Sequence, residues 1–171
     1  MRIDKRTRTK DILPLVADKE LMEAVLDTVP EWPLEKPLLS MTCGEFIEAA
    51  NPEYALAFMR ERKALKALGM VKSYKNQMNA ITKVLKKNSI KETEEMKRAK
   101  IGVVFPTFAE DILMTVTEYL GLDRIEKAAD VPFSEFLMIH RRKSSESKVS
   151  DNYRKITEQK SKMANGKKLH H

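Results

Sequence analysis

Few side chains in this sequence have the type and spacing that catalysis needs. Histidine occurs only at His140, His170 and His171, and the single cysteine is Cys43. Any nucleophile–histidine pair would have to use His140, which stands beside Arg141 and Arg142 at the expected end of a helix. An imidazole there complements the negative helix terminus, an ordinary structural role. Cys43 falls in the first turn of an expected helix, where a thiolate is somewhat favoured, but the expectation is a buried, inert thiol. No His/Cys cluster has ligand spacing for a metal. The carboxylate pairs Glu94–Glu95 and Glu110–Asp111 point in different directions on a helix. The five glycines build neither G-x-G-x-x-G nor G-x-x-x-x-G-K-[ST]. The chain therefore reads as no enzyme, with no cofactor, no metal and no evident small-molecule substrate.

Binding chemistry is better represented. Lys75, Asn76, Asn79, Lys83, Lys86 and Lys87 gather on the outer side of an expected helix at 73–87, opposite Tyr74, Met78, Ile81 and Leu85. Lysine and asparagine suit phosphates and adenine edges. Following a helix at 52–68 across Met70–Lys72, that helix has the place of a recognition helix in a helix-turn-helix unit. Arg141, Arg142 and Lys143 add a further basic cluster, so these nine residues are the candidate contacts for nucleic acid or another acidic partner. Trp32 is the only tryptophan. It reads first as a lid on the core and second as a partner anchor.

The net charge of +7 is unevenly placed. Residues 1–10 sum to +4, 11–59 to −8, 60–100 to +9, 101–140 to −5 and 141–171 to +7. Two acidic blocks around a basic one predict complementary helices packed side by side; a basic face left open for a partner is the sharper reading. A lone cysteine suits a reducing, cytoplasmic setting. No apolar run approaches the roughly 18 residues that span a bilayer, and no apolar signal core follows the basic N-terminus.

The elements that must position these residues are helical. Few glycines and prolines disfavour a turn-rich β-fold, and the expected fold is all-α: a compact multi-helix domain at 11–142, a basic arm at 1–10, and a mobile basic tail at 143–171. The stretch Ile101–Leu122 is its expected centre, with a Thr107/Glu110 capping box, a stripe of Phe108, Ile112, Val116, Tyr119 and Leu120, and Gly121 as the stop. Residues 1–17 read as extended. Asp18 caps a helix of about ten residues. Pro30, Pro33 and Pro37 then impose an extended run. Thr42 with Glu45, and Ser89 with Glu92, form further capping boxes. Asn51-Pro52 opens a helix expected to stop at Gly69. VVF at 103–105 reads as a connector, since no second strand of comparable quality exists. DRIEKAAD is a short acidic helical turn, and VPFSEFLMIHRRK a last apolar helix. Val149, Tyr153 and Ile156 make only a weak stripe in a tail too polar to fold alone. GEFIEA at 44–49 and SEFLMI at 134–139 look alike, which shared helix-start chemistry explains. His170-His171 is set aside as a cloning remnant.

Ten methionines supply adaptable apolar contacts. Together with basic termini around a helical core, they predict a non-enzymatic interaction or assembly protein, through a protein partner or self-association. The alternative is DNA or RNA binding through the basic 60–100 helices and the termini. In general style the chain looks like small helical assembly factors and minor virion proteins of bacteriophages or mobile elements. That likeness is carried by no motif; it would place the protein within a virion.

Overall fold

The computed structural model describes residues 3, 6–16, 18–89 and 108–168. The fold is all-α: α1 (Thr9–Val16), α2 (Lys19–Thr28), α3 (Cys43–Ala49), α4 (Pro52–Ala57), α5 (Ala64–Asn88), α6 (Phe108–Leu120) and α7 (Phe133–Lys168). Short 3-10 turns lie at Leu38–Ser40, Phe58–Arg60 and Ile125–Asp130. Isolated bridges, Arg8 with Lys63 and Thr42 with Pro132, are the β pairing among the described residues.

Local chemistry starts and stops most helices. The Asp18 carboxylate accepts from the Leu21 amide at 3.0 Å, opening α2. At α3 the Thr42 hydroxyl accepts from the Glu45 amide (3.3 Å) and Glu45 accepts from the Thr42 amide (2.8 Å), so two orphan donors are satisfied reciprocally. Asn51 caps α4 at the Glu53 amide. Gly121, at φ +63°, ends α6 in the left-handed conformation.

The main core joins α3, α5, α6 and α7. Phe46, Phe133 and Phe136 are its largest fully buried side chains. Phe46 and Phe133 stack with ring centroids 3.5 Å apart and planes at 12°. The two similar fragments begin α3 and α7, and these helix starts lie side by side. The Cys43 amide donates to the Val131 carbonyl (2.8 Å), and the Phe133 amide to the Met41 carbonyl (2.9 Å). Ile112 and Val116 are fully buried against this core, as expected of α6, while Phe108 and Leu120 lie at its exposed margin. A second cluster, Ile12, Leu26, Val29, Ala64 and Leu68, ties α1 and α2 to the start of α5.

Three elements differ from the sequence reading. The segment expected to be extended contains α1, because Ile12 is buried in the second cluster and tertiary packing stabilises a helix too short to persist alone. Gly69 is not a stop: the expected 52–68 helix breaks at 61–63, and α5 runs through Gly69 to Asn88. A Cβ at Gly69 would lie 2.8 Å from the Pro30 carbonyl oxygen and 2.9 Å from Trp32 Cβ, and the Trp32 amide donates to the Gly69 carbonyl at 3.1 Å. The glycine is there for the close crossing of the proline segment. With no turn at 70–72, the helix-turn-helix disposition expected for 52–87 does not exist. Finally, α7 does not end near Lys143 but continues to Lys168, since neither proline nor glycine interrupts the chain between Pro132 and Gly166.

The Thr107/Glu110 and Ser89/Glu92 capping boxes, the helix that the latter would open and the VVF connector fall wholly or partly outside the described residues. Among the described residues, no helix is long and apolar enough to cross a membrane.

Candidate functional site

Cys43 is fully buried at the start of α3. Burial, with the Glu135 carboxylate adding to it, pushes its thiol up to about 11, so the first-turn position does not yield a thiolate. His140 lies inside α7 rather than at its exit, which removes the helix-terminus role expected for it. Its Nδ1 and the Ser144 Oγ one turn on are buried without a hydrogen-bond partner among the described residues. Both residues line a cavity of about 240 Å³ with Asn88, Ser89, Asp111 and Thr115.

Burial lowers the His140 pKa below its ordinary 6.5, opposed by the Asp111 carboxylate. The unfolded chain then binds a proton that the folded chain resists. The His140 contribution to stability is therefore constant above about pH 7.5 and falls as pH drops through about 6.5, while the raised Cys43 thiol lowers stability only at alkaline pH. Urea midpoints from pH 8 to pH 5 are expected to show this decline, and His140→Gln to flatten it. Glu23, Glu45 and Glu61, each lowered chiefly by a lysine hydrogen bond, contribute only at more acidic pH.

The nine expected basic-face residues do not form one surface. Lys75 pairs with Glu23 of α2 at 3.0 Å, and the Asn76 amide donates to Glu31 at 2.7 Å. Lys143 pairs with Glu118 of α6 at 3.1 Å. Arg142 donates to Glu146 at 3.0 Å, with its guanidinium 5.7 Å from the Tyr119 ring centre. The 11–59 acidic block thus meets the 60–100 basic block at Lys75 and Asn76, whereas Glu118 of the 101–140 block meets Lys143 of the basic C-terminal block. Asn79, Lys83, Lys86, Lys87 and Arg141 are exposed. The Trp32 backbone is fixed on α5 through Gly69, while the residue keeps 42 % of its surface exposed and only partly serves as a lid. Among the described residues, no cluster of His, Cys, Asp and Glu could hold a metal.

The most exposed apolar surface is on α7. Beyond Ser147 every side chain described, through Lys162, is exposed. Val149 (68 %), Tyr153 (73 %) and Ile156 (51 %) stand there at i, i+4, i+7. At 1.5 Å per residue, 148–168 projects roughly 30 Å from the body. Ser145, Ser150, Asn152, Thr157 and Gln159 flank this stripe without charge. The opposite side alternates Lys148, Asp151, Lys155, Glu158 and Lys162, a pattern of a solvated face laced with its own ion pairs. The sequence displayed this stripe; its low apolar content concealed that it stands on a continuous helix. No family model, no curated protein and no solved structure matches the chain.

Proposed function

We propose that the protein is a non-enzymatic helical assembly module that self-associates by pairing the projecting part of α7 with that of a second copy. The observation that carries this is the Val149–Tyr153–Ile156 stripe, exposed on a helix that has left the body. Most helical stability in proteins comes from packing an amphipathic face, and an apolar stripe with charges at its two ends has the pattern of the seam of a two-helix pair.

Charge selects the direction. The stripe continues to Glu146 on one side and Lys160 on the other. A parallel pair sets Glu146 against Glu146 and Lys160 against Lys160. An antiparallel pair, with Tyr153 facing the second copy's Ile156, packs Val149 on that copy's Lys160 stem. It also brings Glu146 within one layer of the same lysine, at both ends by two-fold symmetry. The two folded bodies then sit at opposite ends of the pair and do not collide.

Sedimentation of the full chain over roughly 1–200 µM is expected to show a reversible dimer. Glu146→Lys and Lys160→Glu should each weaken it about tenfold, and a one-to-one mixture of the two variants should restore it. A monomer throughout, or two variants that pair as well as the parent, would sink the proposal.

A further inference from the structure

A separate feature, independent of α7, lies at the other end of the molecule. We propose that the groove between residues 6–10 and the corner at 60–63 binds the phosphodiester backbone of a nucleic acid. The groove encloses about 680 Å³, and its lining includes Arg6, Arg8, Lys10, Arg60, Arg62 and Lys63, with Glu61 as the acidic residue among them.

The site is built, not a chance meeting of surface chains. The Thr9 amide donates to the Arg62 carbonyl at 3.2 Å and the Ala64 amide to the Thr7 carbonyl at 3.1 Å. The Thr9 hydroxyl donates to the Glu61 carbonyl. Arg8 and Lys63 form an antiparallel bridge, and Ile12 anchors α1 in the cluster that holds α5. Two segments some fifty residues apart are thereby held edge to edge with their cations on one groove.

For folding alone this arrangement is adverse. At three other helices the chain opens with an acceptor and an acid: Asp18 and Glu20 at α2, Thr42 and Glu45 at α3, Asn51 and Glu53 at α4. At α5, its second-longest helix, it does the reverse. Lys63 occupies the cap position with no side-chain hydrogen bond, and no acid stands in the first turn. The positive end of the helix thus faces Arg60, Arg62 and Lys63, where a negative group is favoured. Glu61 does not relieve this, because Lys66 donates to its carboxylate at 2.7 Å and the Arg62 amide donates to its other oxygen. The groove therefore calls for an anion from outside.

Its chemistry narrows the class. Several cations spread along an open groove exceed what one phosphate needs, and arginine forks match phosphate oxygens in pairs. None of the described residues that line the groove is aromatic, so none of them stacks on a base. The contact is with the backbone and independent of sequence. This moves the nucleic-acid contact away from Lys75 and Asn76, which are engaged with Glu23 of α2 and Glu31 of the proline segment.

The test is the anisotropy of a labelled DNA duplex of arbitrary sequence titrated with the full chain across a salt series. Arg8→Ala with Arg62→Ala is expected to weaken binding about tenfold and to reduce the salt slope by about two. Lys83→Ala with Lys87→Ala removes the same charge from the far end of α5, and should change affinity by no more than about twofold. Arg60→Gln with Lys63→Gln repeats the groove test at other positions. Both groove variants should melt at or above the parent temperature, since like charges are relieved. No binding at low salt overturns the proposal. So does equal weakening by the groove and Lys83/Lys87 variants, or a lowered melting temperature in both groove variants. Full displacement of the duplex by about 1 mM pyrophosphate identifies a small-anion pocket instead, and also overturns it.

Discussion

A Val116→Asp chain is expected to be unfolded under conditions where the parent is native. Val116 has no exposed surface and sits in the main cluster with Ile112, Phe46, Phe133 and Phe136. Aspartate there must either keep an unpaired charge among apolar side chains or take up a proton. In both cases it also loses the valine methyl contacts. An uncompensated buried polar or charged group costs several kcal/mol, a large share of the roughly 5–15 kcal/mol that holds a domain together. Val116→Ala grades the effect: it removes about two methylene equivalents and should cost about 2 kcal/mol. Far-UV circular dichroism with a urea titration checks both variants. An aspartate variant as stable as the parent would show that α6 is not a core helix.

Gly69→Ala is expected to destabilise the protein, against the sign that helix propensity gives. In a solvated helix interior the change would add about 1 kcal/mol of stability. Here the new methyl meets the Pro30 carbonyl oxygen at 2.8 Å and Trp32 Cβ at 2.9 Å. Neither atom is the loose end of a flexible side chain, so the crossing of the proline segment over α5 must open. Overpacking of this kind costs about 1–3 kcal/mol, and the Trp32–Gly69 hydrogen bond is strained with it. The measurable signature is paired: a lower urea midpoint and an altered emission of Trp32, the only tryptophan. A more stable Gly69→Ala protein with unchanged emission would mean that the crossing is looser than described.

The contrast between Gly69 and Gly121 shows what the sequence could and could not tell. Both follow an apolar helical stripe, and both satisfy the local rule for a helix stop. Gly121 obeys it, at φ +63° with nothing within 4 Å of a Cβ. Gly69 does not, because its reason is a neighbour nearly forty residues earlier in the chain. The caps at Asp18, Thr42 and Asn51 were legible for the same reason as Gly121: their partners are two or three residues away. α1 was hidden because its stability comes from Ile12 packing in the second cluster, a contact with residues far along the chain.

Functional residues follow the same division. The basic side of 73–87 was legible as an amphipathic pattern, but its neutralisation by Glu23 and Glu31 depends on how α2 and the proline segment lie on α5. The six cations of the groove were present as two unremarkable charge runs, at 2–10 and 60–63. Only the main-chain bonds between Thr7, Thr9, Arg62 and Ala64 make them one surface.

The hydrogen bonds between 41–43 and 131–133 set an order of events in time. Their partners are about 90 residues apart, and a ribosome adding roughly 5–20 residues per second needs several seconds to make the chain between them. During that interval the face of α3 that carries Phe46 has no Phe133 to stack on. The Ile12–Leu26–Leu68 cluster lies entirely within the first 68 residues and can close much sooner. The N-terminal groove is therefore assembled while the aromatic core is still open, and the emergence of Phe133 and Phe136 is the step that completes the fold.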